Sequence, residues 1–260
     1  MVYTDERKGT SILGPILQEK AMMLAKHFPN ESETFTASSG WLERWKKRHG
    51  VHQMNIYGEK LSANEGEMNK FKEEFQKLVA EEGYTKDQIC NCDETGLNYK
   101  MMPSKTLISR DEAAAPGYKK NKERCTILAC SNASGKHKLP LMLIGKSAKP
   151  RALKNINHEA LPAYYAHQKN ACMSSDLFKK WFFDQFVPSA ETFLKKNGLP
   201  RKAILLLDNV PSHPNDSNLR NGNIIVKFFP PNVTAIGQPM DQGVLETLKR
   251  HYRRFLFSQF

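Results

Sequence analysis

The sequence predicts a mixed α/β domain preceded by a small all-helical one, and three observations carry that reading. Ile204-Leu205-Leu206-Leu207 is an unalternated apolar run, too short for a helix and patterned like a strand buried on both faces. Cys125 to Ser131 and Leu139 to Ile144 are two further strand-like runs, separated by the turn-forming Asn132-Ala133-Ser134-Gly135-Lys136. The first fifty residues, by contrast, show only helical periodicity.

Taken in order, residues 1–10 are polar. From Ser11, the residues Ile12, Ile16, Leu17, Met23, Leu24 and Phe28 mark an amphipathic helix that stops before Pro29. Ser38 and Ser39 are candidate N-caps for a second helix, Gly40 to His49, closed by Gly50. Trp41, Leu42 and Trp45 give it one apolar face, and Arg44, Lys46, Lys47 and Arg48 fill much of the rest. Two helices with a polar turn between them, the second capped and basic, suit a helix that enters a major groove. Residues 56–69 read as a linker, and Asn69 to Glu82 as a charged helix with Phe71, Phe75, Leu78 and Val79 on one side.

A strand over 88–95 follows, then the two hairpin strands. Residues 150–168 are irregular. Ser174 to Asp176 caps a single long helix, Leu177 to Lys196, whose heavy apolar face marks it as core. Strands over 203–207 and 224–229 and a final helix bearing Val244, Leu245, Leu248 and Tyr252 complete the chain. Gly145-Lys146-Ser147 is not a phosphate-binding loop, because Pro140 stands where its first glycine belongs and no helix begins there.

Three carboxylates fall at the ends of core elements. Asp93 lies in the 88–95 strand, Asp208 ends the 203–207 strand, and Asp241 stands at the first turn of the last helix. Each has an ordinary reading, Asp208 as a turn residue and Asp241 as a helix N-cap. Brought together without a partner, however, three carboxylates repel, and such a cluster requires a cation. Hard oxygen donors suit Mg²⁺ or Mn²⁺, and a metal pair held this way clamps the attacking and leaving oxygens of a phosphodiester. Glu94 adjoins Asp93 but alternates to the other side of the strand, and His213, five residues after Asp208, reads first as a turn histidine between Ser212 and Pro214 and second as a group near the scissile phosphate. Gln238 and Gln242 flank Asp241 and are candidates to touch substrate.

Composition points the same way. The formal net charge is +12, which favours a polyanionic partner. The charge is uneven: residues 100–151 hold 12 Lys and Arg against 3 Asp and Glu, whereas residues 61–99 hold 4 against 9. The basic segment also admits an RNA-binding alternative. Five cysteines in irregular spacing give neither a zinc ribbon nor a disulfide framework. No apolar run approaches the roughly 18 residues of a membrane span, so a membrane partner is not expected. The basic runs 119–124 and 249–254 read equally as nuclear-import signals or as phosphate contacts.

The segments CDETGLNYKMMPSKTL, LLLDNVPSHP and FFPPNVTAIGQPMDQGV, with LQEKAMMLAKHF and FTASSGWLERWKKRHGV near the start, resemble the pogo/Tigger group of transposases and their Jerky-like domesticated relatives. The resemblance runs from about Gly9 to the last residue. It implies an RNase H-like DDE endonuclease domain with a mixed sheet, in which the first and fourth strands are neighbours, preceded by a centromere-protein-B-type helix-turn-helix module. It places the module at 8–58, a linker and helix at 59–85 and the endonuclease-like domain at 86–260. It also implies that Asp93, Asp208 and Asp241, with 32 residues between the last two, are the catalytic triad and the ligands of two Mg²⁺ or Mn²⁺ ions. Ser38, Ser39, Arg44, Lys46, Lys47 and Arg48 are the implied DNA contacts, double-stranded DNA the partner, the nucleus the compartment, and a homo-oligomer an open assembly. Domesticated relatives can keep the fold for binding alone, so catalysis stays an alternative. The family pattern has another helix before the Gly-Pro, a further helix-turn-helix module upstream and more chain after Phe260, none of which this sequence shows.

Overall fold

The computed structural model describes residues 14–28, 35–52, 64–102, 121–157, 160–210, 212–214 and 218–259. They fall into two compact units, residues 1–61 and 62–260. Residues 11–13, 53–63 and, within the basic 100–151 segment, 103–120 lie outside that description.

The first unit holds α1 (Gly14–Ala25) and α2 (Ser39–Arg48). Ser38 caps α2, its Oγ accepting from the Trp41 amide at 3.2 Å, so Ser39 is the first helical residue and not a second cap. Trp41 packs edge-on against Phe35 and lies beside Trp45, which in turn lies on His49. Gln18 Nε2 donates to the Ala37 carbonyl, and Gly14 leaves no room for a side chain against Leu42, so the two helices touch closely. Neither helix buries a residue fully.

The second unit is built on a seven-stranded sheet in the order β4-β3-β2-β1-β5-β7-β6. Its strands are β1 (Ile89–Leu97), β2 (Cys125–Asn132), β3 (Met142–Gly145), β4 (Tyr164–His167), β5 (Ala203–Leu207), β6 (Arg220–Asn221) and β7 (Ile224–Phe228). β1, β2 and β3 form an antiparallel meander, with Asp93 opposite Ala129. β1 then pairs in parallel with β5, Asn91 facing Leu206, and β5 in parallel with β7. The expected pairing of the first and fourth core strands is therefore present. β4 and β6 are edge additions that the sequence pattern does not announce; β4 runs beside β3 within a stretch expected to be irregular.

Strand alternation divides the sheet into two faces. One presents Cys90, Cys92, Leu128, Cys130, Met142, Ile144, Leu205, Leu207, Ile224 and Val226 and is covered by Phe178, Trp181, Phe182, Phe186 and Leu194. Those covering residues lie on α4 (Ser175–Trp181), a π-helical turn (Phe182–Phe186) and α5 (Val187–Lys196). The apolar periodicity predicts one long helix here. Pro188 has no N–H for the ladder and crowds the carbonyl four residues back, and the Val187 amide reaches the Phe182 carbonyl instead, five residues back.

The other face is covered by α3 (Glu65–Glu82), the short α6 (Thr234–Gly237) and α7 (Val244–Phe257). α3 starts earlier than its apolar residues suggest because Asn64 caps it, accepting from the Glu67 amide at 3.1 Å. Met68 and Phe71 of α3 pack on Ile204, Leu206, Phe229 and Val233. Leu248 and Tyr252 of α7 pack on Leu97, Cys125 and Ile127, while Leu245 joins Ala129 and Met240.

Candidate active site

Asp93 and Asp208 come from neighbouring parallel strands. Asp93 lies two residues beyond Asn91 on β1, Asp208 two residues beyond Leu206 at the end of β5, and Asn91 and Leu206 are register partners. Both aspartates are buried, at 6% and 8% exposure. Asp241 is not in the first turn of α7, as the sequence suggests, and it is not the helix cap. Gly243 occupies the cap position with φ 92°, a conformation that favours glycine, and Asp241 stands exposed in the turn before it.

The three aspartates nevertheless act on one another. The Asp93 carboxyl is pushed up to about 8, first by burial, then by the charges of Asp241 and Asp208, with Glu94 a smaller contributor. A bond from the Glu94 amide to Asp93 Oδ1, 2.8 Å long, works in the opposite direction and is outweighed. Among the described residues, no hydrogen-bond donor reaches the buried Asp208 Oδ1. His213 Nδ1 lies 3.2 Å from it, but the ring N–H is directed at the Asp208 carbonyl oxygen, 3.0 Å away. A crowded, undersatisfied set of carboxylate oxygens is the donor chemistry that a small hard cation takes.

Glu94, which the sequence reading leaves out, and His213, which it reads first as a turn residue, belong to the setting of this site. His213 Nε2 contacts Glu94 Oε1 at 3.1 Å, its side chain is almost fully buried, and its ring packs on Phe178. Burial pulls its pKa down, but Asp208 and Glu94 overcome that and lift it to about 10. Glu94, Asp208 and His213 offer atoms within 4.8 Å of one another, and among the described residues they are the one such trio of potential ligands. Both ring nitrogens are already engaged, Nδ1 at the Asp208 carbonyl and Nε2 at Glu94, so we read the trio as a hydrogen-bonded cluster that braces Asp208. The turn histidine signal hides this role, because the partner Glu94 is 119 residues away in sequence.

Gln238 is fully buried and does not present itself to a substrate; it bonds to Asn91 and to the Cys92 carbonyl. Gln242 is exposed, with Nε2 on the Ala235 carbonyl. On α2, Arg44, Lys47 and Arg48 are exposed, as are Ser38 and Ser39. Lys46 is partly covered and tied to Glu43 at 2.6 Å.

A family model described as DDE superfamily endonuclease matches residues 122–260, more than half of the chain. The chain belongs to this family. The match contains Asp208 and Asp241, and Asp93 lies upstream of it. A second model, the Tc5 transposase DNA-binding domain, matches residues 3–55. The human Jerky protein homolog is 38% identical over 250 residues, covering 94% of this chain and 43% of its own. Human Tigger transposable element-derived protein 7 is 36% identical over 261 residues, covering 97% of this chain and 47% of its own. This chain thus spans less than half the length of the curated relatives it matches. Among solved structures, the Mos1 transposase paired-end complex with left transposon end aligns with a TM-score of 0.51 at 14% identity, over 87% of this chain and 60% of the other. A pre-cleavage Mos1 transpososome gives 0.51 at 12%, over 93% and 66%. At those identities the likeness is one of fold: an α/β domain of the DDE endonuclease type behind a helix-turn-helix module.

Proposed function

We propose that this chain is a nuclear DNA-binding protein of transposase origin, in which α2 reads duplex DNA and Asp93, Asp208 and Asp241 form a divalent-cation site for phosphodiester cleavage or strand transfer. Residues 8–58 are the binding module, 59–85 the connecting segment and helix, and 86–260 the endonuclease-like domain. The observation that carries the catalytic part is the burial of Asp93 and Asp208 side by side at neighbouring parallel strands, with an Asp208 oxygen left without a donor among the described residues; the upward push on the Asp93 carboxyl from Asp241 and Asp208 agrees with it. Asp93, Asp208 and Asp241 would hold Mg²⁺ or Mn²⁺, which would activate a water or a DNA 3′-hydroxyl and stabilise the leaving oxygen. The protein's own part is to hold the three carboxylates and, through His213 and Glu94, to fix Asp208.

The binding part rests on the exposed Arg44, Lys47 and Arg48 of a serine-capped helix. It is extended by α7, where Arg250, Arg253 and Arg254 are exposed and turned away from the packing residues Leu245, Leu248 and Tyr252. Tyr252 Oη is bonded to the Tyr99 carbonyl at 2.9 Å, so this basic run is folded in place. That favours its reading as a phosphate contact over an import signal that must be read as an extended peptide.

The deciding experiment mixes the purified chain with DNA carrying terminal inverted repeats. Cleavage is expected with Mn²⁺ or Mg²⁺, and is expected to vanish with chelator and in each of Asp93→Asn, Asp208→Asn and Asp241→Asn. Cleavage that survives Asp208→Asn would falsify the site. Duplex binding with no cleavage under any condition would leave a retired enzyme that keeps its DNA-binding role.

A further inference from the structure

Asp93 lies within β1 and Asp208 directly follows β5, whereas Asp241 adjoins no strand and the helix that follows it does not begin until Val244. Its side chain is exposed, so packing does not fix it. What does hold its turn is a buried amide pair. Asn91 Nδ2 donates to Gln238 Oε1 and, at 3.0 Å, to the Leu206 carbonyl. Asn91 Oδ1 accepts from the Met240 amide at 3.1 Å, and Gln238 Nε2 donates to the Cys92 carbonyl at 3.3 Å. Gln238 is fully buried and Asn91 is 7% exposed.

The placement of these bonds is what gives them meaning. Asn91 precedes Asp93 by two positions on β1, Leu206 precedes Asp208 by two on β5, and Met240 is the residue immediately before Asp241. One side-chain amide therefore touches all three segments that bear the acids, each within two residues of its carboxylate. Met240 is itself buried against Ala129, and its carbonyl accepts from the Leu245 amide at 3.1 Å, so the same point also sets where α7 begins. Two buried amides whose donors are used within the protein, and not on a ligand, are a structural clamp.

We propose that Asn91 and Gln238 are positioning residues, a two-amide clamp that sets the distance of Asp241 from the strand-borne Asp93 and Asp208 and so gives the site its affinity for a divalent cation. The proposal rests on the reading of the three aspartates as a cation site. Neither amide touches the cation; both act through Asp241.

The test is Mn²⁺ affinity of the intact chain, read from the electron paramagnetic resonance signal of free Mn²⁺ well below the melting temperature. Gln238→Met keeps the side-chain length and apolar fit but removes both bonds. It is expected to weaken Mn²⁺ binding at least tenfold, to a level close to that of Asp241→Asn. Asn91→Leu is expected to do the same. In an Asp241→Asn background, Gln238→Met should produce no further loss, because the clamp acts through that carboxylate. A merely structural role gives a different pattern, with a lower melting temperature in Gln238→Met and unchanged Mn²⁺ affinity, and that result overturns the clamp. So does a further tenfold loss in the Asp241→Asn background. If the wild type binds no Mn²⁺, the cation-site reading itself fails, and the clamp with it. Wild-type binding with an unaffected Gln238→Met overturns the clamp alone.

Discussion

The two faces of the sheet use the same strands for opposite purposes. On one, Cys90, Cys92, Leu128, Cys130, Leu205 and Leu207 meet Phe178, Trp181, Phe182 and Phe186 in one apolar cluster. On the other, the same β1 and β5 carry Asn91, Asp93 and, at the strand end, Asp208, beneath a turn that adds Gln238 and Asp241. A one-residue step along β1, from Cys92 to Asp93, crosses from the stabilising face to the one that carries the proposed cation site. The difference teaches that stability and chemistry are separable here: one face supplies burial in excess, and the other can hold mutually repelling carboxylates because of it.

The largest effect that sharpens this contrast is expected from Trp181→Ala. Trp181 is 1% exposed, and emptying such a site costs about 3–5 kcal/mol of stability. Chemical denaturation is expected to show that loss while Mn²⁺ affinity of the folded protein stays unchanged. A parallel loss of affinity would break the separation of the faces.

Asp93→Asn is expected to act with the opposite sign. Because the folded-state pKa of Asp93 stands at about 8, above the ordinary 3.8, the folded protein holds a proton that the unfolded chain releases. The stability contribution of this group is therefore full below about pH 4 and is lost as the pH rises to about 8. Asp93→Asn should remove that decline and raise metal-free stability at pH 7, by on the order of 2 kcal/mol. His213 adds a second decline, since its pKa is raised from 6.5 to about 10 and its charged form is lost across that interval. The residual slope above pH 6.5 in Asp93→Asn should vanish when His213→Gln is added. Asp208→Asn is a poorer probe of repulsion, because it also deprives His213 of a partner.

The smallest change in stability is expected on the outer surface of α7. Replacing Arg250, Arg253 and Arg254 together by Gln should move stability by no more than about 0.5 kcal/mol. The same variant should lower the salt dependence of duplex binding, by about 0.9 in the log–log slope for each phosphate no longer neutralised. An unchanged slope would remove α7 from the DNA-binding surface and leave α2 to act alone.

Much of this is legible in the sequence, and the reasons differ by element. β5 and Asp208 are readable because a strand buried on both faces writes an unbroken apolar run and a carboxylate ends it. The capped α2 is readable because Ser38 and the basic residues are local signals. The break after Trp181 hides within unbroken helical periodicity, since a π-turn keeps the apolar face continuous. β4 escapes notice because four residues between Tyr164 and His167 are too few to show alternation. The site divides in the same way. Asp93 and Asp208 announce themselves locally, whereas Asn91, Glu94, His213 and Gln238 gain their roles only from partners more than 100 residues away.

The central claim is that three aspartates share one cation site, and metal-dependent thermal stability tests it most directly, with or without catalysis. A cation that binds only the folded state stabilises it in proportion to ln(1 + [L]/Kd). Millimolar Mn²⁺ is expected to raise the melting temperature of the wild type, while Asp93→Asn starts higher without metal and gains little from it. A wild-type melting temperature indifferent to Mn²⁺, together with an Asp93→Asn variant less stable than the wild type, would contradict the account.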